Sequence, residues 1–180
     1  MNFELLRDEL LSAAPSANDL RLLNISNQEV DEFAASFRIE ARKNKLVIGD
    51  KSDVVASFFC SYDPSKLEVG MVRFLALPNL SNCGWQVGQV EADPLIVDRA
   101  TGEVYVDDLT SPGRKLWICS DSFEHFLLAL IPVARYLGKC LVDASVLDDK
   151  ALCNQILSES VIGAGGDNYA AFYRMLLGAR

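Results

Sequence analysis

The amino-acid sequence predicts an α+β fold, a twisted and largely antiparallel sheet with flanking helices. Three observations predict it. Short apolar or alternating runs, separated by Gly, Pro, Asn and Asp, succeed one another between residues 46 and 119. Apolar spacing of period 3.6 occupies both ends of the chain. The change from one pattern to the other is abrupt after Ser120. Strands in succession, bracketed by helices, belong to the α+β class.

Taken in order, Phe3, Leu6, Leu10 and Leu11 fall at helical spacing, and that run stops before Pro15. Leu20, Leu22, Leu23 and Ile25 form a short apolar patch read as a strand. Ser26 or Asn27 then caps a helix over Gln28 to about Arg42, with Val30, Phe33, Ala34 and Phe37 on one face. Leu46 to Ile48 and Val54 to Tyr62 are rich in β-branched and aromatic residues and read as a strand pair, turned by residues 49–53. Gly70 to Leu77 is a strand ended by Pro78-Asn79, and Gly84 to Val90 is another, with Trp85 and Val87 toward one side.

Leu95 to Val97 and Val104 to Val106 make a hairpin across Asp98-Arg99-Ala100-Thr101-Gly102, where Gly102 supplies the positive φ of the loop. Leu116 to Cys119 is one more strand. Ser120, Asp121 and Ser122 offer N-caps to a helix carrying Phe123, Phe126, Leu127 and Leu130 at i, i+3, i+4 and i+7, which Pro132 ends or kinks. Ala144 to Ser158 and Asn168 to Leu177 are helical, around a glycine turn. One domain over residues 1–180 is expected, with a helical C-terminal extension from about residue 143. A chain of 180 residues can bury roughly 70% of its unfolded surface.

The net charge of −8 repels nucleic-acid phosphates and anionic membranes, so direct binding to either is not expected. Residues 1–37 carry seven acids and two bases, and residues 91–125 carry eight and three. Residues 38–90 are net positive, with seven bases to five acids. Five cysteines are an odd number and no two stand at CxxC spacing, which fits reduced, mostly buried thiols in the cytoplasm. The N-terminus has acids inside its apolar stretch and does not read as a signal peptide. The longest apolar run, Phe126 to Ala134, is far short of the roughly 20 residues that span a bilayer.

Candidate chemistry is sparse. His125 is the single histidine and is expected at the edge of a partly buried face. A zinc site would need further ligands at a recognised spacing, so neither a metal nor a cofactor is expected. Cys83-Gly84-Trp85 places a thiol before a strand rather than at a helix N-terminus, which leaves it unactivated. Gly163-Ala164-Gly165-Gly166-Asp167-Asn168 lacks the lysine of a phosphate loop and reads as an interhelical turn capped by Asp167. The acids Asp93, Asp98, Glu103, Asp107, Asp108, Asp121 and Glu124 lack EF-hand spacing and paired catalytic geometry. They are the candidate partner-binding residues, and the pair Asp107-Asp108 is expected to be fully exposed.

Asp93-Pro94-Leu95-Ile96-Val97-Asp98, followed by Thr101-Gly102-Glu103-Val104-Tyr105 and then Ser122-Phe123-Glu124-His125-Phe126-Leu127, resembles the SUKH superfamily, which includes bacterial immunity proteins and fungal cell-wall synthesis regulators. The resemblance covers about 40 residues; Leu46-Val47-Ile48-Gly49-Asp50 is more loosely similar to the glycine-containing strand found upstream in such proteins. The chain departs from the pattern at His125, where a second acid is usual, and in its long C-terminal helices. The resemblance implies an α+β fold with a twisted sheet and no catalytic residues. It also implies a role as antidote to a secreted polymorphic toxin, often a nuclease or nucleic-acid deaminase. The expectation is a cytoplasmic immunity protein for a basic toxin domain. The alternatives are a non-catalytic scaffold or regulator, or a small cysteine-dependent enzyme.

Overall fold

The computed structural model describes residues 2–21, 23, 25–44, 46–49 and 53–179. It is an α+β fold in which six strands form a curled antiparallel sheet flanked by helices. The strands are β3 (Glu68–Val69), β4 (Val72–Ser81), β5 (Gly84–Val90), β6 (Asp93–Val97), β7 (Val104–Asp107) and β8 (Lys115–Ser120), each paired with the next. A separate two-residue ladder joins β1 (Glu40–Ala41) to β2 (Tyr62–Asp63).

The helices are α1 (Phe3–Ala13), α2 (Ala17–Arg21), α3 (Asn27–Ala35), α4 (Val54–Ser61), α5 (Phe123–Val142), α6 (Lys150–Gly163) and α7 (Ala170–Leu177). The central one is α5, whose first turn is capped by the Ser122 hydroxyl accepting from the His125 amide at 3.2 Å. It lays Phe123, Phe126, Leu127 and Leu130 into the core, opposite Leu95, Val97, Val104 and Val106 from the sheet. The Phe126 ring lies 6.3 Å from Phe74 and 6.1 Å from Phe172, so it joins α5 to the sheet and to α7. Tyr173 donates its hydroxyl to the Cys119 carbonyl at 3.0 Å and ties α7 to β8. Helices α6 and α7 thus complete the core with Ile156, Val161, Phe172, Tyr173 and Leu176.

The hairpin β6–β7, strand β8 and helix α5 lie where their periodicity put them. The C-terminal helices exist but are shifted: Ala144–Asp148 is a 3₁₀ turn and α6 runs Lys150–Gly163 instead of Ala144 to Ser158, while α7 begins at Ala170 after a 3₁₀ turn over Asn168. Several expectations are corrected. Val54 to Ser61 is helical, because Asp53 caps it and Val55, Phe58 and Phe59 then turn into the core, and only Tyr62 is extended, in β2. Leu46 to Ile48 is not a strand. The turn proposed over residues 49–53 falls largely on residues 50–52, outside the described residues.

Leu20 belongs to α2 rather than to a strand; Leu22, in the same patch, lies outside the described residues. Helix α3 ends at Ala35, since the Ser36 carbonyl accepts from the Glu68 amide at 2.8 Å and Phe37 and Ile39 turn into the core. Strand β4 continues through Pro78: residues between Phe74 and Asn79 bulge away from β5, so the missing N–H of proline removes no ladder bond. Pro132 lies inside α5 instead of ending it. The 3₁₀ turn Asp167–Tyr169 is preceded by Gly166 without a side-chain cap, so Asp167 is not the N-cap.

Of the five cysteines, Cys119 is buried, Cys60, Cys140 and Cys153 are half-buried, and Cys83 is exposed, so burial is less general than the composition suggested. Helix α5 is long and apolar enough to cross a membrane by length and composition, although 56% of that window is buried inside the fold. The run from Phe126 to Ala134 alone understates its length. Gly138 sets the contact between α5 and α1: a Cβ there would lie 2.6 Å from the Ala13 carbonyl oxygen.

Candidate functional site

The seven acids fall into two groups at opposite ends of the hairpin β6–β7. Its register pairs Leu95 with Val106 and Val97 with Val104. The ends are therefore separated by the length of a four-residue strand, about 13 Å.

At one end, Asp93, Asp107 and Asp108 hold the β7–β8 turn. Asp93 accepts from the Leu109 amide at 3.0 Å, and Asp107 accepts from the Gly113 amide at 2.9 Å. Asp108 accepts from the Thr110 amide at 2.8 Å, the Thr110 hydroxyl at 2.6 Å and the Ser111 amide at 3.2 Å. Arg114 stands 3.6 Å away. The Thr110 hydroxyl, with these amides, holds the Asp108 carboxyl below its ordinary value. Asp107 and Asp108 are 6% and 8% exposed, the reverse of the exposure expected for them. An Asx turn folds the Asp108 carboxylate back onto its own backbone, and Asp107 reaches across the loop to the Gly113 amide.

At the other end lie Asp98, Glu103, Asp121 and Glu124. The Asp98 carboxylate accepts from the Ala100 amide at 2.8 Å and the Thr101 amide at 3.2 Å. The Ala100 bond is the main reason its carboxyl sits below the usual range. Gly102, at φ 80°, closes the loop by donating to the Asp98 carbonyl at 2.8 Å. Glu103 pairs with Lys115 at 2.6 Å, and that ammonium lies 4.4 Å from the Tyr105 ring centroid. Burial pushes the Tyr105 hydroxyl up to about 12. Asp121 meets His125 Nδ1 at 2.5 Å, and His125 is exposed rather than at the edge of a buried face. Glu124 occupies the first turn of α5, where the helix dipole favours an acid.

Asp98 and Glu124 line one open groove of about 340 Å³ together with Asp53, Trp85, Arg99 and Ser122. Trp85, only 6% exposed, backs the groove from the core. The indole Nε1 donates to Asp53 Oδ2 at 2.6 Å, while Asp53 Oδ1 accepts from the amides of Val55 at 2.9 Å and Ala56 at 3.2 Å. The Arg99 guanidinium lies over the Trp85 ring, 5.9 Å from its centroid. The groove thus presents three carboxylates to one guanidinium around an aromatic ring. Such a surface suits a cationic side chain better than an anion. Asp98 is held ionised by its amide donors, which suits it to accept hydrogen bonds and not to deliver a proton.

Asp53, Trp85 and Arg99 are the residues that the sequence did not single out. The signal for Asp53 was present, as a cap two residues before the core-facing Val55. Nothing in the sequence shows that its other oxygen meets Trp85. Among the described residues, no group of three or more His, Cys, Asp or Glu is placed to hold a metal ion. No family model, curated protein or solved structure matches this chain.

Proposed function

We propose that this chain is a protein-binding module similar to the SUKH immunity proteins, acting in the cytoplasm to bind and block a basic toxin domain that attacks nucleic acid. One observation carries the reading. The hairpin loop and the start of α5 bring Asp98 and Glu124 into a groove backed by Trp85, with Glu103 and Asp121 at the same end of the hairpin. An acidic face complements the basic cleft of an enzyme that handles nucleic acid, and long-range attraction speeds the encounter.

Two further features support it. The six strands pair in chain order and pass directly into a Ser122-capped helix on the sheet, an arrangement compatible with the twisted α+β fold the resemblance implies. Two of the groove's carboxylates, Asp98 and Asp53, are held by backbone amides and an indole N–H, a rigid arrangement that costs little ordering on binding.

The test is co-expression with the products of the adjacent reading frames. The reading expects one of them to be toxic alone, to be neutralised by this chain, and to co-purify with it at fixed stoichiometry. A neighbour that is harmless alone and does not bind sinks the antitoxin role.

A further inference from the structure

Helices α5 and α6 pack as an antiparallel pair that meets through small residues. A Cβ added at Gly163, the last residue of α6, would lie 3.2 Å from the Ala129 Cα in the first half of α5. Cys153 stands ten residues before Gly163, and Cys140 eleven after Ala129. At 1.5 Å per residue these are about 15 Å and about 16.5 Å along the two helices. The two thiols therefore reach the same level of the seam from opposite sides. Tyr136, one turn before Cys140 and 2% exposed, marks the meeting point: its hydroxyl is in hydrogen-bond contact with both sulfurs. Each cysteine is half-buried, so small molecules reach the pair.

We infer that Cys140 and Cys153 form a reversible disulfide when the protein meets hydrogen peroxide, locking α6 onto α5. One thiolate attacks a peroxide oxygen and becomes a sulfenic acid, and the leaving hydroxide takes up a proton as water. The other thiolate attacks that sulfur and expels a second water. Two thiols thus give up two protons and two electrons, and the peroxide is reduced to two waters. A dithiol reverses the bridge by exchange. The bridge needs Cα atoms within about 7 Å, and Gly163 and Ala129 let the helices approach closely along this seam. Among the described residues, no third His, Cys, Asp or Glu joins the two thiols in a metal-holding group. Burial pushes the Cys140 thiol up, and the Tyr136 hydroxyl works against that by donating to its sulfur. The phenol thus supports the thiolate that the reaction uses. The bridge closes the segment holding the 3₁₀ turn Ala144–Asp148, which buries none of its residues, so the tie falls where the core supplies little. This inference does not depend on the protein's binding a toxin.

The reduced full chain is treated with a few equivalents of hydrogen peroxide, alkylated, digested and mapped by mass spectrometry. A Cys83→Ser protein, without the exposed thiol, is run in parallel. Both are expected to yield monomer in which Cys140 is linked to Cys153, and dithiothreitol is expected to restore the free thiols. Cys140→Ser and Cys153→Ser are each expected to stop at a sulfenic acid on the remaining thiol, trapped by dimedone. The linked protein is expected to melt several degrees above the reduced one. Peroxide that leaves Cys140 and Cys153 unlinked overturns the inference, as does a bridge made instead to Cys83 or between two chains. A linked protein that melts no higher than the reduced one overturns the lock.

Discussion

Asp53 and Trp85, 32 residues apart, are joined by a 2.6 Å hydrogen bond from the indole Nε1 to Oδ2, while the other carboxylate oxygen caps α4. One side chain therefore fixes both the start of a core helix and the aromatic residue that backs the acidic groove. Asp53→Ala removes the cap and leaves an indole N–H without its partner, at a cost of about 2–4 kcal/mol. Asp53→Asn keeps one acceptor and is expected to lose less. Urea unfolding followed by tryptophan fluorescence checks both; equal stability of wild type and Asp53→Ala contradicts the linkage.

Phe126 is fully buried between Phe74 and Phe172. Phe126→Ala is expected to cost about 3–5 kcal/mol, because the surrounding sheet and helices cannot collapse onto the cavity. The midpoint of chemical denaturation reports this. A loss below 1 kcal/mol would mean that the packing of α5 on the sheet is not as described.

The carboxyls of Asp98 and Asp108 are held below their ordinary value of 3.8, Asp98 chiefly by the Ala100 amide and Asp108 chiefly by the Thr110 hydroxyl. A carboxyl depressed in the folded state stabilises the fold fully above the unfolded value, and this is lost as pH falls through the folded one. Thermal stability is therefore expected to hold down to about pH 4 and decline below it, less steeply in Asp98→Asn. Tyr105 gives the opposite limb: its hydroxyl, raised to about 12 by burial, keeps the fold resistant until pH rises past the ordinary value of 10.0. Ultraviolet titration should show this phenol ionising late.

Substituting Asp107 by lysine is expected to reduce stability, by about 1–3 kcal/mol, because the buried carboxylate binds the Gly113 amide. Asp108→Ala should also lower the melting temperature, through the Thr110 and Ser111 bonds. Thermal melts of the single variants decide this. Unchanged melts would return both residues to the solvent-exposed role that their spacing suggested.

How far the sequence carried the fold differs by element. The β6–β7 hairpin and the start of α5 were readable, because a loop glycine at 102 and a hydroxyl cap at 122 are local signals with local causes. Helix α4 was not, because Val54, Val55, Phe58 and Phe59 favour strands intrinsically and only the core contact of one face makes them helical. Among the acids, spacing identified the segment but not the partners. Asp108 finds its donors two and three residues away, so its burial follows from turn geometry that composition hides. The groove itself was out of reach. It depends on Asp53, Trp85, Asp98 and Glu124 meeting from four separate elements.

The central claim is that the acidic end of the hairpin meets a basic partner. The most direct measurement is the association rate with the toxic neighbour, by stopped-flow across a range of salt, for wild type and for Asp121→Asn with Glu124→Gln. Charges at an interface rim act mainly on encounter. The account predicts a rate that falls steeply with salt in wild type, and one about tenfold slower at low salt with a flatter dependence in the double variant. Rates that coincide at every ionic strength would contradict it and move recognition to another surface.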